Sequence, residues 1–76
     1  MNKQRRKILN NIADEISVLK DKLEVVMAAE EEYRDNIPEN LQGSERYNNA
    51  EAACESLYEA IESLEDAISG IESATE

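Results

Sequence analysis

The chain has 76 residues, with eight Lys and Arg against eighteen Asp and Glu, a net charge of −10. It has no histidine, no tryptophan, one cysteine and two glycines. That composition excludes an intrachain disulfide, a histidine-bearing zinc or di-iron site and a glycine-rich phosphate loop.

The charge is uneven along the chain. Residues 1–36 carry seven basic and eight acidic side chains, whereas residues 37–76 carry Arg46 alone against ten acids. Such acidity disfavours nucleic acid, so no direct DNA binding is expected, and it favours basic protein surfaces. The start, MNKQRRKIL, is basic, but no apolar run of signal or transmembrane length follows it. With one thiol, suited to a reducing compartment, the expectation is a cytoplasmic protein that does not engage a membrane.

The first predicted element is a helix over residues 3–35. Leu9, Ile12, Ile16, Leu19, Leu23 and Val26 step by three and four, and Tyr33 and Ile37 keep that phase past Glu30. A helix places such residues along one edge. Val18 and Val25 lie outside that edge, with Met27, Ala28 and Ala29 nearby, so the helix carries more apolar surface than one neighbour can cover. The connection comes next, over residues 36–44. Pro38 lacks an N–H and disfavours a helical Ile37, which stops the helix near Asp35. Gly43 is expected to be a left-handed stop and Ser44 an N-cap, with one short helical turn between Pro38 and Gly43 and Leu41 facing the end of the hairpin.

The second helix is predicted over residues 45–75, and its heptads are unbroken. Positions a and d are Tyr47, Ala50, Cys54, Leu57, Ile61, Leu64, Ile68 and Ile71. Position g is alanine throughout: Ala53, Ala60, Ala67 and Ala74. A column of small side chains lets another helix approach closely. Together with Val18, Val25 and Tyr58 these alanines are the expected self-association residues, while Tyr33 and Tyr47 are expected to cap the turn. The predicted fold is all-α: one domain over residues 1–76, an antiparallel, coiled-coil-like two-helix hairpin. A chain this short has a marginal core unless it associates, so assembly into a four-helix bundle or larger homo-oligomer is expected.

Chemistry is sparse. Glu59, Glu62, Glu65 and Asp66 have helical spacing, but a carboxylate di-iron site also wants Glu-x-x-His pairs. Glu30, Glu31, Glu32 and Asp35 match no calcium loop. Cys54 falls on the seam, which suits packing rather than reactivity. No catalytic, metal or cofactor residue is expected, and the chain reads as a non-enzyme. Lys3, Arg5, Arg6 and Lys7 are expected to lie beside Glu72, Glu76 and the negative end of the second helix. Glu51, Glu55, Glu59, Glu62, Glu65, Asp66 and Glu72 form the expected acidic surface for a partner.

The segment DNIPENLQGSERY, residues 35–47, between a basic start and an acidic A-I-x-x-L-E-x-A-I strip, resembles small helical proteins encoded by phages and prophages of Gram-positive bacteria. The resemblance implies a mobile-element accessory protein acting in the host cytoplasm, of a kind whose genes often encode inhibitors of host defence. It carries no catalytic residue across. The leading functional expectation is a self-associating protein that binds and inhibits a basic host protein, such as a defence or DNA-handling factor. A strict nucleic-acid mimic, a nucleotide-like ligand sponge at subunit junctions and a structural virion component are the alternatives.

Overall fold

The computed structural model describes residues 1–76. Helix α1 spans Lys3–Asp35 and helix α2 spans Glu45–Ala74, joined by a 3-10 turn at Glu39–Leu41. The two helices fold back on each other as an antiparallel hairpin 59 Å long and 15 by 13 Å across. It has no strand, and neither helix is long and apolar enough to cross a membrane.

Local chemistry accounts for the helix ends. Asn2 caps α1, its side-chain oxygen accepting from the Arg5 amide at 2.8 Å, and Ser44 caps α2 by accepting from Tyr47 at 3.3 Å. The last carbonyls of α2 are met by Thr75, whose amide donates to Ile71 and Glu72 and whose hydroxyl donates to Glu72 at 3.0 Å. In the connection, Leu41 donates to the Pro38 carbonyl and Ser44 to the Leu41 carbonyl. The chain therefore turns without any left-handed residue. Gly43, expected to be a left-handed stop, has no positive φ, because tight i→i+3 bonding already completes the reversal. Ile37, 3% exposed, plugs the end of the hairpin, and Leu41, expected there, stays 46% exposed.

The α2 seam is the one its heptads mark. Ala50, Cys54 and Ile61 are buried, and Tyr47, Leu57, Leu64, Ile68 and Ile71 are half-buried. Helix α1 differs. Leu9, Ile16, Leu23 and Ile37 face α2 as expected, but Ala13, Lys20, Met27 and Arg34 alternate with them. Ile12, Leu19, Val26 and Tyr33, expected in the seam, are exposed. Both choices keep 3-4 spacing, so helical periodicity is satisfied either way. The observed rotation brings small Ala13 and the flexible stems of Lys20, Met27 and Arg34 against α2. The Lys20 amine then reaches the rim, 3.5 Å from Glu24 and 3.9 Å from Glu65, with its methylenes along the seam. Five of the 76 residues are buried, a thin core for a folded chain.

Candidate functional site

Rotation of α1 decides what the hairpin shows to solvent. Relative to the observed seam, Ile12, Leu19, Val26 and Tyr33 flank α1 on the side where Ala53, Ala60, Ala67 and Ala74 flank α2. The contact between Tyr33 and Arg46 fixes this pairing: the Arg46 Nε donates to the Tyr33 hydroxyl at 2.6 Å. The guanidinium carbon is 5.2 Å from the ring centroid, but a group bonded to the phenol oxygen sits beyond the rim, so the hydrogen bond carries the contact. Stepping one heptad at a time away from that pair places Val26 beside Ala53, Leu19 beside Ala60, Ile12 beside Ala67 and Arg5 beside Ala74. The flank is a ladder of large α1 and small α2 side chains, with an arginine at each end. Leu19 is 54% and Val26 55% exposed, while Ala60, Ala67 and Ala74 are exposed and Ala53 half-buried.

The other expected association residues do not join this flank. Val18 and Val25, the latter 70% exposed, lie on the outer face of α1, opposite its seam. Tyr58, at position e, is exposed on the far flank with Glu51, Glu65 and Glu72, not beside the alanine column. Sequence reasoning missed Ile12, Leu19 and Val26 as surface residues. The available signal was Lys20 and Arg34 falling in phase with Ala13 and Met27, which makes a second possible seam.

All seven residues of the expected acidic surface are exposed. Only Glu65 has a basic neighbour, Lys20. The α2 carboxylates otherwise face solvent as a solvated, negatively charged surface. No group of three or more Cys, Asp and Glu side chains is placed to hold a metal ion. The basic cluster is equally free. The ion pairs are Lys20–Glu24, Lys20–Glu65 and Arg34–Asp35, so Lys3, Arg5, Arg6 and Lys7 lie at the same end of the hairpin as Glu72 and Glu76 but make no ion pair with them.

Two open clefts sit at the ends of the ladder. One, of about 480 Å³, is lined by Glu30, Tyr33, Glu45, Arg46, Asn49 and Ala50 near the turn. The other, of about 180 Å³, is lined by Met1, Arg5, Ile8 and Leu9 at the open end. Cys54 is buried in the seam between them. Loss of hydration raises its thiol pKa; the Arg34 charge opposes this, while Glu30, Glu31 and Asp35 add to it. A thiol held neutral is a packing group, not a nucleophile.

Fold and surface together define a two-helix antiparallel hairpin whose chemistry lies on its faces and not in an enclosed pocket. No protein-family model, curated protein or solved structure matches the chain.

Proposed function

We propose that this chain is a non-enzymatic interaction protein that associates with itself through the ladder flank and offers the acidic face of α2 to a basic protein. In the setting implied by its resemblance to phage and prophage proteins, the partner is a host defence or DNA-handling factor that it inhibits in the host cytoplasm. The observation that carries this reading is the exposure of Ile12, Leu19 and Val26 beside an alanine column while the core holds only five buried residues. Water-exposed aliphatic side chains aligned over several heptads mark a surface that another protein covers.

The ligand-sponge alternative has less behind it. The larger cleft sets Glu30 and Glu45 against one guanidinium, Arg46, a poor reception for phosphate.

Native mass spectrometry of protein purified from its host, at low and moderate salt, tests the reading. A multiple of the 8.6 kDa chain carrying a co-purified basic protein is the expected result. Replacing Glu51, Glu55, Glu59 and Glu62 with Gln should release that protein and leave the multiple intact. A bare monomer at micromolar concentration, with no partner retained, would sink the proposal.

A further inference from the structure

Building on the self-association proposed above, we infer that the flank is covered by one second copy of this chain, turned end for end about a two-fold axis at the Leu19/Ala60 rung. Of three observations, area selects the occupant, charge selects the orientation, and the symmetry of the ladder accommodates both.

The first is area. A folded monomer of 8.6 kDa exposes roughly 4,700 Å², whereas this chain exposes 5628 Å². The surplus, about 900 Å², compares with the ~800 Å² that each partner contributes to an ordinary interface. One additional copy is enough to account for it.

The second is charge. At the open end, residues 1–11 and 66–76 carry four basic and three acidic side chains; around the turn, residues 26–56 carry two basic and eight acidic ones. Two copies with their turns together would press the most negative regions against each other. Turned end for end, the unpaired basic cluster of one copy meets the acidic end of α1 in the other. Charges brought closer than the Debye length of about 8 Å at physiological salt are not screened from each other.

The third is the ladder's own symmetry. Its α1 column, from Arg5 through Leu19 to Tyr33, and its α2 column, from Arg46 through Ala60 to Ala74, share one middle rung. A two-fold axis there sets Ile12 against the second copy's Val26 and Ala53 against its Ala67. It also brings Arg5 to the second copy's cleft beside Tyr33 and Glu30. An isologous interface requires such self-complementarity. The product is a four-helix bundle with every neighbour antiparallel.

The test uses the full chain carrying Cys54→Ala and Gln42→Cys, spin-labelled at the turn, with native mass read on the same sample. The expected result is a dimer whose label-to-label distance is comparable with the 59 Å length of the hairpin. A dimer with a separation nearer the 15 Å width, or a trimer or larger ring, overturns this arrangement and leaves self-association standing. A monomer overturns both. A charge swap on the otherwise natural chain gives a second check: Arg5→Glu should weaken the dimer at least tenfold, and adding Glu30→Arg should recover most of that loss. No weakening by Arg5→Glu removes the proposed end contact.

Discussion

Gly70 stands in the body of α2, exposed, with nothing within 4 Å of where a Cβ would sit and with no positive φ to require glycine. It therefore costs helix stability without a local return. Gly70→Ala should stabilise the protein by about 1 kcal/mol, read as a rise of roughly 4–8 °C in melting temperature; an unchanged or lower value would mean that something close-packed covers this site. Cys54 offers a test of burial through pH. Its folded pKa is raised, so the unfolded thiol ionises first, near its ordinary value of about 8.5. The stabilisation from the neutral thiol is complete below that value and is lost as pH climbs from it to the folded value. Urea titrations between about pH 8 and 9.5 should show wild-type stability falling with pH and the Cys54→Ala protein lacking that slope. Equal slopes would place the thiol in water. The caps at Ser44 and the break at Pro38 were legible one residue at a time, because each acts on its own backbone. The fate of Gly43 was not, since a glycine permits a left-handed turn without requiring one.

At the scale of the element, α2 was legible and α1 only partly. The second helix has one stripe of large apolar side chains, flanked by alanines on one side and mostly by glutamates on the other, and only one rotation buries it. The first has apolar side chains in adjacent columns, so two seams of equal periodicity compete: Ile12, Leu19, Val26 and Tyr33 against Ala13, Lys20, Met27 and Arg34. Single-cysteine probes in a Cys54→Ala background separate them. Cysteine at position 13 should react with a thiol reagent at least tenfold more slowly than cysteine at position 18, which lies on the outer face of α1. Comparable rates would mean that α1 is free to roll against α2. The seam Lys20 bears on the same point. Its amine is answered by Glu24 and Glu65 at the rim, and a polar group at a seam position fixes register at some cost in stability.

For the whole molecule, a hairpin with so thin a core should draw stability from association. Its melting temperature should then depend on concentration, falling by a few degrees on tenfold dilution because unfolding also separates the copies; a value independent of concentration over two decades would identify a self-sufficient monomer. The sequence alone determined that there are two helices, where they start and stop, that they are joined by a short proline-broken turn, and that the second half is acidic. These follow from local causes: heptad spacing, caps, a missing N–H and a count of charges. The tertiary structure decided the rotation of α1, and with it which side chains are surface. It set Ile12, Leu19 and Val26 beside the alanine column, moved Tyr58 and Val18 away from it, and left the basic start unpaired. A stripe wider than one neighbour leaves a helix free to turn about its own axis until the shape of the facing helix settles the contact.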